Sequence, residues 1–237
     1  MNTEDLRYEY KGKYITIQAE TTRDPIQLMG RESGLCWGSN TNDADKNYKR
    51  GLECVKSGHG RVLEFPQIYI LVEGYSAKFI REFYTHCGGA PTRLQASTRY
   101  IDYTKDGFSY VIPQSIEKDK EARLQYISAM LDINRQIRSL IDVYKVPKED
   151  AAMLLPLGMT STFVCRTNAR NIIDMSRQRC CMRAYHEYRD FMEHLKLALS
   201  EYSQEWKELL EAQYGAKCEF LGYCPESNGC GRYMHRF

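Results

Sequence analysis

Ile127, Met130, Leu131, Ile137, Leu140, Ile141 and Tyr144 recur at steps of three and four, the spacing that lines up apolar side chains on one face of an α-helix. The pattern predicts one long helix over Glu117 to Lys145, which Pro147 ends by removing a backbone donor. Such a helix must lay its stripe against a second layer. The sequence supplies strand material for it: Ile68-Tyr-Ile-Leu-Val72 is a compact, β-branched run of strand length, closed by Gly74. Ser76 then offers a hydroxyl to cap a helix from Ala77 to about Tyr84.

The rest of the chain mixes both periods. Arg7 to Gln18 alternates apolar or aromatic with polar positions, and Gly30, Gly34 and Gly38 punctuate the stretch after it, so the first 40 residues read as short strands and turns. A polar helix is expected from Asp43 to Ser57, ending at Gly58. Arg99 to Tyr103 and Phe108 to Ile112, joined by a Lys105-Asp-Gly107 turn, read as a hairpin. A short helix over Lys148 to Leu155, a strand over Met159 to Cys165 and a helical stretch from Asn168 to Leu210, interrupted near Cys180, complete the pattern. The Cys-containing tail, 215–237, reads as loop. The fold class expected is α+β, a single domain over 1–237 with a mixed or antiparallel sheet and long helices.

Charge narrows the partners. Lys plus Arg number 33 against 31 Asp plus Glu, and a net charge of +2 gives no field for steering onto a nucleic acid polymer. Any anionic ligand must be held by locally placed arginines. No apolar run approaches the length of a membrane span, and the first residues lack the apolar core of a signal peptide, so a cytoplasmic protein without membrane partners is expected. The 9 cysteines are odd in number and not densely spaced, which favours reduced thiols. Cys218, Cys224 and Cys230, with His235 beyond, are four possible soft ligands, but their wide spacing differs from the tight pairs of zinc loops, and no metal site is expected.

Four segments in order carry a family resemblance. They are Gly58-His-Gly-Arg-Val-Leu-Glu-Phe65, Arg81-Glu-Phe-Tyr-Thr-His86, Gln95-Ala-Ser-Thr-Arg-Tyr100, and Asn168-Ala-Arg170 with Arg179 and Ala184-Tyr-His-Glu187 beyond. In order and spacing the set resembles the flavin-dependent thymidylate synthases, whose signature ends in Ser-x-Arg-Tyr. The resemblance implies methylation of deoxyuridylate at C5, with methylenetetrahydrofolate as carbon donor, FAD as hydride carrier and NADPH as reductant. It also implies a homotetramer with active sites shared between subunits. By family position Arg179 is the catalytic residue, beside the pyrimidine. Glu82, Gln95, Ser97, Thr98 and Arg99 would contact the nucleotide with it. His59, Arg61, His86, Gln95, Asn168 and Arg170 would contact the cofactor.

The chemistry suits these residue types. A nucleotide phosphate needs a fixed cation and hydroxyl donors, which Ser97, Thr98 and Arg99 offer within one turn. A pyrimidine ring made nucleophilic at C5 carries negative charge that a guanidinium stabilises without surrendering a proton. The family's Arg-His-Arg triplet, however, corresponds here to Thr85-His86-Cys87, followed by a longer loop containing Arg93, and Asp174 stands where the family places a flavin-contacting asparagine. Flavin-dependent C5 modification of another pyrimidine deoxynucleotide, or a noncatalytic nucleotide-binding relative, therefore remain alternatives.

Overall fold

The computed structural model describes residues 4–86 and 92–235. Five strands form one sheet: β1 (Leu6–Tyr10), β2 (Lys13–Ile17), β3 (Gln67–Ser76), β4 (Thr92–Gln95) and β5 (Thr160–Asn168), in the order β1-β2-β3-β5-β4. The β1–β2 hairpin turns through Lys11 and Gly12, both at positive φ, and pairs Tyr10 with Lys13. β3 and β5 run antiparallel, as bonds at their two ends show: the Ala169 amide donates to the Pro66 carbonyl and the Ala77 amide to the Met159 carbonyl.

Ten helices accompany the sheet among the described residues: α1 (Pro25–Cys36), α2 (Ala44–Lys56), α3 (Ala77–His86), α4 (Gln114–Glu117), α5 (Lys120–Asp142), α6 (Lys148–Ala151), α7 (Ala169–Arg179), α8 (His186–Tyr202), α9 (Gln204–Gln213) and α10 (Lys217–Leu221). The chain forms two compact units, one built from Met1–Leu71, Phe83–Arg93 and Val164–Phe237, the other from Val72–Glu82 and Leu94–Phe163. The α+β class is as expected.

In the first unit, α8 packs on β1 and β2 and buries Tyr188, Phe191, Met192, Leu195 and Leu199. α9 adds Trp206, Leu209 and Leu210, and the Trp206 indole N–H donates to the Thr22 carbonyl at 2.7 Å. The expectation of strands and turns through residue 40 fails beyond β2, because Gly30 and Gly34 lie inside α1. Their lack of a side chain allows contact with α2: a Cβ on Gly30 would stand 1.7 Å from the Asn47 carbonyl oxygen, and one on Gly51 2.0 Å from that of Ile26. These glycines mark close helix packing, not turns.

In the second unit, Met130 and Ile137 of α5 are buried with Tyr103, Phe108, Ala151 and Met159. The predicted long helix is present, although it begins after a separate turn, α4, because the Asp119 carboxylate caps α5 by accepting from the Glu121 and Ala122 amides. The expected hairpin between Arg99 and Ile112 does not form. Among the described residues its ladder pairing is a single bridge between Tyr110 and Met159, and the Phe108 amide donates to the Asn134 side chain of α5 instead of to another strand. Asn168 to Leu210 divides into α7, α8 and α9, with breaks after Arg179 and at Ser203, whose hydroxyl caps α9. The tail also departs from loop at α10, which Gly222 closes at φ 74°.

Candidate active site

β5 ends at Asn168, whose side-chain oxygen accepts from the Asn171 amide at 3.0 Å and so starts α7. That cap faces a cavity of about 600 Å³ within the first unit. The expected residues His86, Asn168, Arg170 and Arg179 all line it, together with Glu64, Thr85, Asn171, Asp174 and Gln178. Helix geometry explains part of this convergence: Arg170 sits in the first turn of α7, and Asp174 and Gln178 come after it at intervals of four, on one face.

Arg179 occupies the last turn of α7, where the helix dipole favours a cation. Its guanidinium carbon lies 5.1 Å from the ring centroid of the fully buried Tyr188, whose hydroxyl donates to the Met175 sulfur at 3.1 Å. One terminal nitrogen of Arg179 contacts His86 Nε2. A guanidinium only donates, so in a hydrogen bond between the two Nε2 is the acceptor. The Nε of Arg179 is buried with no hydrogen-bond partner among the described residues. A buried donor left in this way costs stability unless a ligand fills the gap.

At the other end, Arg170 donates to Glu64 at 2.6 Å and lies 3.7 Å from Asp174, so the carboxylate that replaces the family's asparagine faces a cation. His59 and Arg61, expected at the cofactor, are exposed and are not among the cavity's lining residues. Their segment nevertheless reaches it: Glu64 closes the 3-10 turn Gly60–Glu64, and a Cβ on Gly60 would lie 4.0 Å from the Arg170 guanidinium carbon. His59 instead presents its ring edge-on to Trp37, with centroids 6.5 Å apart.

The other expected nucleotide residues, Glu82, Gln95, Ser97, Thr98 and Arg99, lie in the second unit. Ser97, Thr98, Arg99 and Tyr100 form a turn in which the Tyr100 and Ile101 amides both donate to the Ser97 carbonyl and the Arg99 amide donates to the Ser97 hydroxyl at 3.3 Å. Arg99 is exposed and ion-paired with Glu149 at 2.8 Å. Gln95, on β4, donates to the Ser161 hydroxyl at 3.3 Å, and Glu82 is half-buried on α3. Cys87, the third member of the altered triplet, lies outside the described residues. Arg93 stacks over Tyr84, 4.2 Å from its centroid.

The cavity residues suit a flavin. The α7 N-terminus and the side-chain amides of Asn171 and Gln178 are donors for phosphate and carbonyl oxygens, and Arg179 Nε, without a partner among the described residues, calls for one more acceptor. Among the described residues no group of three or more His, Cys, Asp or Glu side chains is arranged to hold a metal ion, and no helix is long and apolar enough to cross a membrane.

Comparison with known proteins agrees with this geometry. The family model described as thymidylate synthase complementing protein matches residues 19–203. The flavin-dependent thymidylate synthase of Nitratidesulfovibrio vulgaris is 32% identical over 191 residues, covering 77% of this chain and 75% of that protein. Its counterpart from Geobacter sulfurreducens is 31% identical over 89% of this chain and 91% of its own length, and that from Clostridium tetani 27% identical over 94% and 96%. With its helix-capped cavity, its turn at Ser97 and a match spanning most of its length, the chain belongs to the flavin-dependent thymidylate synthase family, a family of methyltransferases.

Proposed function

We propose that this protein methylates deoxyuridylate at C5, taking the one-carbon unit from methylenetetrahydrofolate and using FAD with NADPH as reductant. The observation that carries the reading is Arg179: a guanidinium fixed by His86 and Tyr188 on a cavity wall, with one buried donor left over. A bound reduced flavin supplies the hydride that turns the transferred methylene into a methyl group.

The chain's own residues bind and orient. Arg179 stabilises negative charge on the pyrimidine as C5 becomes nucleophilic, through the planar donors of its guanidinium. His86 holds that guanidinium in place and is a positioning residue. Ser97, Thr98 and Arg99 take the nucleotide phosphate, where the exposed Glu149 partner is readily exchanged for a dianion. Glu82 and Gln95 contact the rest of the nucleotide. Asn168 and Arg170 hold the cofactor at the start of α7, and His59 and Arg61 lie at its outer edge.

The same reading includes a homotetramer in the cytoplasm. Leu124 and Leu131 stand seven residues apart on α5 and are 56% and 53% exposed in the single chain, an apolar strip that a second subunit would cover. The test is the absorbance spectrum of the purified protein, followed by product analysis with deoxyuridylate, methylenetetrahydrofolate and NADPH. Flavin bands and thymidylate are expected. A methylated product from deoxycytidylate alone would shift the substrate, and a colourless protein that takes up no flavin would end the reading.

A further inference from the structure

A second cavity, of about 360 Å³, lies on the C-terminal side of α7 within the first unit. Its walls carry five cations, Arg177, Arg179, Arg183, Lys217 and Arg232, against the single carboxylate of Glu226, in a protein whose total net charge is only +2. The opposing acids are few: Arg183 is 3.7 Å from Glu226, and Arg232 pairs with Glu219 at 2.6 Å. Arg177 stacks its guanidinium 3.3 Å from the Phe220 centroid and leaves Nη1 buried with no hydrogen-bond partner among the described residues. The thiol of Cys218 also lines the wall, and burial pushes it up, so it stays protonated and adds no negative charge.

Two cations of this cavity, Lys217 and Arg232, come from the tail, whereas the family match ends at residue 203. The tail therefore builds a site that the matched segment lacks. We propose that this cavity binds a polyanionic phosphate compound, whose oxygens would accept from Arg177 Nη1 and the tail cations. Clustered guanidiniums with planar donor pairs suit phosphate better than a single carboxylate, and concentrated positive charge around a concave wall raises the local concentration of such an anion. The shared chemistry is the phosphate oxyanion, either free or carried by a nucleotide.

The test is calorimetric titration of the full-length protein with inorganic tripolyphosphate and, separately, with adenosine triphosphate. Saturable binding is expected, weakened by about tenfold or more in the double variant Lys217→Glu, Arg232→Glu, and held within about threefold by the charge-conserving Lys217→Arg, Arg232→Lys. Arg170→Ala, which alters the other cavity, should leave binding unchanged and so separates this site from that of the proposed activity. Tighter binding of the nucleotide would assign a nucleotide ligand, and equal binding the free oxyanion. If charge reversal prevents folding, the Lys217→Gln, Arg232→Gln protein carries the test. Absence of saturation, undiminished binding by the reversed or neutralised protein, or equal loss in Arg170→Ala would overturn the proposal.

Discussion

Arg179 donates to the Nε2 of His86, and that direction is forced because arginine has no acceptor. His86→Ala should lower turnover by about tenfold while substrate affinity changes less, since positioning is lost and the charge is kept. A steady-state comparison that shows equal loss in KM alone would remove His86 from this role.

Arg179→Lys should lower turnover by about 10²–10³-fold, the range for losing a preorganised donor to developing charge. An ammonium is compact and cannot reproduce the planar donors or the contact with Tyr188. Circular dichroism and a thermal melt should change little. Wild-type turnover would place Arg179 outside the chemistry.

Arg99→Ala should weaken deoxyuridylate binding by about 1.5–3 kcal/mol, the worth of a charge-assisted hydrogen bond. Glu149→Gln should act oppositely and weakly, by less than about 1 kcal/mol, because it frees Arg99 from an exposed pair. Equilibrium titration measures both, and the opposite signs are the diagnostic result.

Mixing chains tests the shared site. An Arg99→Ala chain and an Arg179→Ala chain, each impaired at subsaturating deoxyuridylate, should regain activity after subunit exchange if one active site draws on two subunits. Light scattering at the assay concentration must show a tetramer. No recovery after demonstrated exchange rules the arrangement out.

Acid should weaken the fold through His194. Its ring is fully buried beneath Tyr8 and Tyr10, and its Nε2 donates to the Tyr8 carbonyl at 2.9 Å. Desolvation, aided by Lys13, depresses its pKa below the ordinary histidine value, so the unfolded chain binds the proton first. Stability from this group is complete above the unfolded pKa and falls as pH drops toward the folded pKa, with a slope of at most about 1.4 kcal/mol per pH unit. Thermal melts from about pH 8 to about pH 5 should show the decline, and His194→Gln should flatten it.

Much of this was legible in the sequence because it rested on local periodicity. The stripe centred on Met130 and Ile137 gave α5, and Ser76 capped α3 as expected, its hydroxyl accepting from the Phe79 amide at 3.1 Å. Gly30 and Gly34 misled because a glycine in a close helix contact looks, in sequence, like a glycine in a turn. The hairpin at Arg99 to Ile112 failed for a related reason: its strand propensity was real, but Phe108 and Tyr103 found burial beside α5. At the candidate site, the motif residues His86, Asn168, Arg170 and Arg179 were legible. Glu64 and Gln178 were not, because their place on the cavity wall depends on helix phase and on a long-range ion pair.

The N-terminus of α1 finds its acceptor far along the chain. Asp24 makes no side-chain cap, and the Ile26 and Gln27 amides donate instead to the Glu205 carboxylate of α9, at 2.7 and 2.9 Å. During synthesis, then, the N-terminus of α1 lacks this acceptor until residue 205 has left the ribosome. A ribosome stalled before codon 205 would carry a nascent chain whose opening helix pair is exposed and unfinished, a substrate for chaperones and proteases.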